Sequence, residues 1–105
     1  MKHTIKMATA CYTGGGIYIY YGQLENGLYF RTCDDCEAVY ICNANTSTEE
    51  AEYTEFYEQH TAEELTGEAF KTFWNQMLLH VINDKPAFDK WNNYQKSDLE
   101  RRIIK

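Results

Sequence analysis

The chain has 105 residues, of which 44% are hydrophobic and 25% charged, a composition that fits one globular domain and excludes a disordered or collagen-like protein. Ten Lys and Arg against sixteen Asp and Glu give a formal net charge of −6, which argues against nucleic acid or an anionic membrane as the direct partner. No apolar run approaches the about 18 residues of a transmembrane helix, and the N-terminus lacks the pattern of a secretory signal. We therefore expect a single cytoplasmic domain over residues 1–105.

Residues 4–42 are typical of β-strands, because short runs of β-branched and aromatic residues alternate with turn signals. The turn signals are Gly14–Gly16, Asn26–Gly27 and Asp34–Asp35. The sequence predicts a four-stranded antiparallel meander with strands Thr4–Tyr12, Ile17–Leu24, Leu28–Cys33 and Cys36–Cys42.

The turns also predict the register of the strands. If Asn26 and Gly27 are the two loop residues of a type I′ turn, Leu24 pairs with Tyr29, and opposed residues share a face of the sheet. If Asp34 and Asp35 form the next loop, Tyr29 also pairs with Tyr40. The predicted core face holds Ile17, Ile19, Tyr21, Leu28, Phe30, Val39 and Ile41. The opposite face, a predicted tyrosine patch, holds Tyr18, Tyr20, Leu24, Tyr29, Arg31 and Tyr40.

Residues 48–105 are predicted to be helical. Thr46–Thr48 offer N-cap oxygens for a helix whose apolar stripe is Tyr53, Phe56, Tyr57 and His60. After a break at Gly67, a second helix to Ile82 carries the stripe Phe70, Phe73, Trp74, Met77, Leu78, Val81 and Ile82, ending at Asn83–Pro86. The capping-box spacing of Ser97–Glu100 predicts a short last helix with Leu99 and Ile103. We expect an α+β fold with two to three helices on the aliphatic sheet face.

An acidic segment, residues 49–68, is the least ordinary feature of the sequence. It contains eight glutamates and no Lys or Arg, whereas residues 71–105 carry seven bases and four acids. One interpretation is a solvated face that aids solubility. A second is a negative surface that docks a basic partner and imitates a row of phosphates. A metal site is less favoured, since hard cations need ligands that converge on one point.

The four cysteines, Cys11, Cys33, Cys36 and Cys42, are expected to be reduced thiols in a cytosolic setting. Cys33 and Cys36 have C-x-x-C spacing, but the predicted register places Cys11 on the face opposite Cys33. The four thiols are therefore not expected to converge on zinc. A redox disulfide between Cys33 and Cys36 is a weaker alternative. No nucleophile, acid and base share a face, so no enzyme, cofactor or catalytic residue is predicted.

The predicted tyrosine patch has three interpretations. It is covered by the segment that contains Phe88, Trp91 and Tyr94, it forms a protein interface, or it stacks nucleobases. Stacking of nucleobases is the least favoured interpretation because Arg31 is the only basic side chain nearby.

The stretches 10–18, 46–51 and 70–75 resemble small uncharacterised acidic proteins carried on mobile elements of Gram-positive bacteria. The resemblance implies a bacterial cytoplasmic setting, in which small acidic proteins are often inhibitors of host defence such as anti-restriction or anti-CRISPR proteins. It carries no activity over to individual residues.

These observations predict an acidic protein-interaction module of anti-defence type. Its expected partner is a protein with a basic surface, such as a nucleic-acid-binding protein. No direct contact of the module with nucleic acid or membrane is expected. The alternative is a small-ligand or metal-binding domain that uses the tyrosine patch or the Cys33–Cys36 turn. The predicted partner-binding residues are Glu49, Glu52, Glu55, Glu58, Glu63, Glu64, Tyr18, Tyr20, Tyr29 and Tyr40.

Overall fold

A computed structural model of the chain describes residues 3–83 and 96–105. Five antiparallel strands form one sheet in chain order, which confirms the α+β class and the meander but adds a strand to the predicted four. The strands are β1 (Ile5–Gly14), β2 (Ile17–Leu24), β3 (Tyr29–Cys33), β4 (Val39–Cys42) and β5 (Thr61–Leu65). The helices are a 3-10 helix (Glu49–Glu52), α1 (Thr54–His60), α2 (Gly67–Asn83) and α3 (Lys96–Arg101).

None of the described helices combines the length and the apolar character needed to cross a membrane.

The β2–β3 hairpin differs from the prediction by one loop residue. Leu24 N–H donates to Leu28 O at 2.8 Å, so Glu25, Asn26 and Gly27 form a three-residue loop. Gly27 has φ +93° and Asn26 keeps a negative φ, which contradicts the type I′ turn and fits a type I turn followed by a left-handed glycine. As a result Gln23, not Leu24, pairs with Tyr29.

This one-residue difference inverts the faces of β2 relative to β3, because successive strand residues point to opposite faces. Tyr18, Tyr20 and Leu24 are 2%, 0% and 1% exposed in the core, so their predicted place on the tyrosine patch is wrong. Ile17, Ile19 and Tyr21, predicted for the core, are only half-buried. We call the face that carries Ile19 and Tyr21 the outer face.

The β3–β4 connection is longer than predicted, but it preserves the predicted faces. Phe30 pairs with Ile41 and Arg31 with Tyr40, two residues away from the predicted register. A shift of two keeps Phe30, Val39 and Ile41 on the core face, where all three are 0% exposed. The fourth strand therefore begins at Val39 rather than at Cys36.

Helix α2 packs on the core face with the predicted apolar stripe. Phe73, Trp74, Met77, Leu78, Val81 and Ile82 are buried and Phe70 is partly buried. The Phe73 ring meets Phe30 edge-on at 5.0 Å between centroids, and Trp74 meets Tyr20 at 5.1 Å. Leu99 of α3 is 0% exposed in the same core, with Ile103 packed against it beyond the end of that helix.

The 3-10 helix and α1 lie on the outer face, so the prediction that all helices pack on one face is wrong. Ala51 and Phe56 form a small cluster with Cys42, and the Tyr57 and Tyr40 rings lie 5.3 Å apart. Tyr40 and Cys42 point away from the main core because they alternate with Val39 and Ile41 along β4.

The predicted capping residues have other roles. The 3-10 helix follows Thr48 without a side-chain cap, and the buried Thr46 hydroxyl donates instead to Phe30 O at 2.6 Å. Ser97 lies inside α3, which begins at Lys96, rather than at its N-cap. Two predictions fall outside the described residues. They are the part of the helix stop after Asn83, at residues 84–86, and the cover of the tyrosine patch by Phe88, Trp91 and Tyr94.

Candidate functional site

The acidic segment is divided among four elements rather than lying along one helix. Glu49, Glu50 and Glu52 are in the 3-10 helix, and Glu55 and Glu58 are in α1. Helix α1 ends at His60, and the next residues form β5, the last strand of the sheet. All eight glutamates of the segment are exposed. The segment therefore folds into an acidic surface that wraps the β5 edge of the sheet.

Two of these carboxylates have basic partners. Glu63 Oε1 lies 2.9 Å from His3 Nε2, and Glu52 Oε2 lies 3.8 Å from a terminal guanidinium nitrogen of Arg31. Within residues 3–83 and 96–105, the other six form no ion pair with Lys, Arg or His; they are Glu49, Glu50, Glu55, Glu58, Glu64 and Glu68. Most of the negative charge of the segment is thus not neutralised by the described residues.

The acidic surface has two sides because β5 alternates. Glu64 pairs with Tyr40 on the outer face, whereas Glu63 pairs with Ile41 on the side of α2. Glu63 lines a depression of about 490 Å³ together with His3 and Phe73. The predicted site residues Glu63 and Glu64 therefore point to opposite faces, although they are neighbours in sequence.

A second depression, of about 380 Å³, lies against the 3-10 helix and α1. Glu50 and Glu55 line it beside Tyr53, Phe56 and His60. Tyr53 is 59% exposed, so this part of the acidic surface combines carboxylates with an accessible aromatic ring. Such a combination suits a lysine or arginine side chain, whose stem packs on the ring while its charge meets the carboxylate.

Of the predicted tyrosines, Tyr29 and Tyr40 lie half-buried on the outer face, where Tyr21 joins them. The paired residues Thr9, Tyr21, Arg31, Tyr40 and Glu64 form one row across all five strands. The Arg31 guanidinium lies 5.9 Å from the Tyr21 ring centre and donates to Thr46 O at 3.2 Å. Tyr21 was missed because the predicted register placed it in the core.

A cleft of about 270 Å³ opens between this row and the 3-10 helix. Its walls include Arg31, Cys33, Cys36, Tyr40 and Tyr57. The Tyr57 hydroxyl donates to Ala51 O at 2.7 Å, and burial raises the pKa of Tyr57 to about 12. The cleft therefore presents the Arg31 guanidinium, the Glu52 carboxylate that pairs with it and the rings of Tyr40 and Tyr57.

An Asp34 network joins the β3–β4 loop to the core and to the C-terminal residues. The Asp34 carboxylate accepts hydrogen bonds from Tyr18 N–H at 2.8 Å, from the Tyr20 hydroxyl at 2.8 Å and from Arg102 Nε at 3.1 Å. Burial and the bond to Asp34 raise the pKa of Tyr20 above its ordinary value. Burial lowers the pKa of Arg102, but Asp34 outweighs it and the net shift is upward.

Only a weak signal for this network is present in the sequence. Asp34 was interpreted as a turn residue, and Arg102 belongs to a mixed-charge C-terminus without a motif. The two residues are 68 positions apart, so that only the tertiary fold brings them together.

The expectation of four reduced thiols is wrong for two of them. Cys33 and Cys36 form a disulfide with 5.3 Å between Cα atoms, while Cys11 and Cys42 are free. Cys11 and Cys33 lie on the same outer face, both beside Ile19, which corrects the predicted separation. Among the described residues no three His, Cys, Asp or Glu side chains converge as metal ligands.

The fold and surface together define a small α+β protein with an open meander sheet and an acidic edge. No protein-family model, curated protein or solved structure gives a significant match to the chain.

Proposed function

We propose that this protein is an acidic interaction module whose β5 edge docks on a basic protein surface, one that ordinarily holds nucleic acid. The observation that supports it is the group of six exposed glutamates that lack a basic partner among the described residues. Unpaired surface charge of one sign accelerates encounter with a partner of opposite sign and favours correct orientation.

The spacing of the glutamates suits imitation of phosphates. Glu55 and Glu58 are three residues apart in α1, which is about 4.5 Å along a helix axis. Phosphates of one DNA strand are about 3.4 Å apart along the duplex axis. A surface whose basic groups are spaced for neighbouring phosphates can therefore contact Glu55 and Glu58 together.

The test compares two charge reversals of equal size. Glu55→Lys/Glu58→Lys changes two glutamates of the acidic segment that have no basic partner among the described residues. Glu25→Lys/Glu100→Lys is the matched control, since both residues are exposed and lie outside the segment. Each tagged protein captures partners from the native host at low and high salt, and the captured protein is assayed for nucleic-acid binding.

We expect the α1 reversal and high salt to abolish capture, the control reversal to preserve it, and the wild-type protein to block nucleic-acid binding by its partner. Capture that survives both the α1 reversal and high salt contradicts the proposal. Capture without competition against nucleic acid retains the docking role and removes the phosphate imitation.

A second candidate, a small-ligand-binding domain, is favoured by the cleft beside Arg31. Its guanidinium and its tyrosines suit an aromatic carboxylate small enough for about 270 Å³, which would replace Glu52 as the partner of Arg31. A screen of such compounds by thermal shift tests this, with Arg31→Gln as the variant that loses binding. Metal binding at Cys33 and Cys36 requires prior reduction, because thiolates and not a disulfide ligate metals.

A further inference from the structure

We propose that Cys33 and Cys36 form a reversible thiol–disulfide site that controls how the C-terminal residues 96–105 are anchored to the sheet. The co-reactant is an external dithiol, and the link between the two regions is Asp34. This inference is independent of the proposed docking role.

The disulfide closes a tight turn at the end of β3. Cys36 N–H donates to Cys33 O at 3.2 Å, so Cys33, Asp34, Asp35 and Cys36 form one turn that the sulfur bond closes a second time. Cys36 is exposed and both cysteines line the outer-face cleft, which leaves the bond open to attack by a thiolate.

Asp34 is one of the two residues held inside this covalent ring. Its N–H donates to Tyr18 O at 3.1 Å and its carboxylate accepts from Tyr18 N–H, which extends the β2–β3 ladder by one pair. The direction of the carboxylate therefore depends on the conformation of the turn.

The carboxylate is also the acidic partner of Arg102 in this network. Arg102 donates from Nε to Asp34 and from a terminal nitrogen to Gly16 O at 3.1 Å. Its own carbonyl accepts from Trp74 Nε1 at 2.9 Å. Arg102 thus ties the C-terminal residues to the β1–β2 turn, to the β3–β4 loop and to α2.

Reduction removes the constraint on the turn. The thiolate of the external dithiol attacks Cys36 Sγ, the Sγ–Sγ bond breaks, and its electron pair leaves on Cys33 Sγ, which takes up a proton. The second thiol of the reagent then displaces Cys36, so that the protein gains two thiols and the reagent becomes a disulfide.

The backbone conformation of the loop favours relaxation after reduction. Glu37, directly after Cys36, has φ +55°, a conformation that non-glycine residues rarely adopt. Without the covalent ring, only hydrogen bonds hold the loop against this unfavourable conformation, chiefly that of Cys36 N–H to Cys33 O and the two between Asp34 and Tyr18. Relaxation moves the Asp34 carboxylate away from Arg102 and weakens the anchor of residues 96–105.

The experiment measures trypsin cleavage after Arg101 and Arg102 in the oxidised and in the dithiothreitol-reduced wild-type protein, with the released peptides identified by mass. We expect about tenfold faster cleavage in the reduced form, the size expected when one hydrogen bond to a charged group is lost. Equal cleavage in the two forms overturns the proposal.

Variants separate the role of Asp34 from general loosening of the loop. Asp34→Asn should be cleaved rapidly in both redox states, and Asp35→Asn should respond to reduction like the wild type. Cys11→Ser should also retain the response, whereas Cys33→Ser/Cys36→Ser should remain in the rapidly cleaved state. If Asp34→Asn still shows the full redox response, Asp34 is not the link and the proposal fails.

Discussion

Gly22 occupies a position in the β2–β3 hairpin where backbone and a core ring leave no room for a side chain. It lies on the core face of β2, where it pairs with Ala8 on one side and Phe30 on the other. A Cβ at this position would lie 2.0 Å from Met7 O and 2.8 Å from the Phe30 ring. The predicted register would instead pair Gly22 with Arg31, on the face opposite Phe30.

Gly22→Ala should therefore destabilise the protein by about 3 kcal/mol, because backbone and a buried ring must both move. Gly27→Ala is the informative control: it places alanine at φ +93° in open space, and the cost should be about 1 kcal/mol. Urea unfolding measures both. Similar costs for the two variants would contradict the close packing at Gly22.

Tyr57 should make stability depend on alkaline pH. Its pKa is raised from 10.0 to about 12 by burial, so the folded state prefers the neutral phenol more than the unfolded chain does. Its contribution is complete below pH 10 and is lost as the pH rises toward 12. Tyr57→Phe cannot ionise, and the stability advantage of the wild type over this variant should shrink across that window. A constant difference in unfolding free energy from pH 8 to 12 would show that the ionisation is not linked to folding.

Strand β5 shows how tertiary pairing overrides local preference. Its sequence, Thr-Ala-Glu-Glu-Leu, contains glutamates and alanine, which favour helix over strand. It is a strand because β4 offers an unpaired edge, and Val39 pairs with Leu65 so that both apolar residues face the core. The exposed charges of β5 also oppose pairing of this outer edge with another chain.

The C-terminal segment should depend on a single loop carboxylate. Asp34→Asn keeps the shape of the side chain but removes its charge beside Arg102, so we expect a loss of about 2 kcal/mol. Asp35→Asn, at an exposed position in the same turn, should change stability by less than about 0.5 kcal/mol. Thermal unfolding of the oxidised proteins measures both. Equal effects would indicate a general charge effect of the loop.

Charge is distributed unevenly over the protein as well as along the chain. Eight exposed glutamates lie between Glu49 and Glu68 in a protein of net charge −6. Neighbouring carboxylates on the 3-10 helix and α1 repel one another, which costs a few tenths of a kcal/mol for each close pair. The acidic surface therefore reduces stability.

This repulsion predicts a stabilising effect of salt. Between 0.01 M and 0.15 M salt the screening length falls from about 30 Å to about 8 Å, and we expect Tm to rise by about 2–4 °C. Glu55→Gln/Glu58→Gln should be more stable at low salt and less responsive to it. A Tm that falls with salt would mean that attractions, not repulsions, dominate the surface.

Local sequence patterns are sufficient to predict the buried face of an element whose apolar residues follow a helical or strand period. The apolar stripe of α2 and the alternation within β3 and β4 predicted which side chains enter the core, and the structure confirms them. The three-residue loop at Glu25–Gly27 could not be distinguished from a two-residue loop by composition, since both use Asn-Gly. That choice decided whether Tyr18 and Tyr20 are buried.

The amino-acid sequence alone therefore determines the α+β class, helix α2, the alternation of side chains within strands and the concentration of glutamates. Each of these features depends on residues that are neighbours in sequence. Pairing across the sheet fixes the face of each β2 residue, the existence of β5 and the opposite directions of Glu63 and Glu64, while packing of the C-terminal residues decides the contact of Asp34 with Arg102. These features require contacts between distant residues, where a shift of one residue changes little locally and reverses which side chains meet.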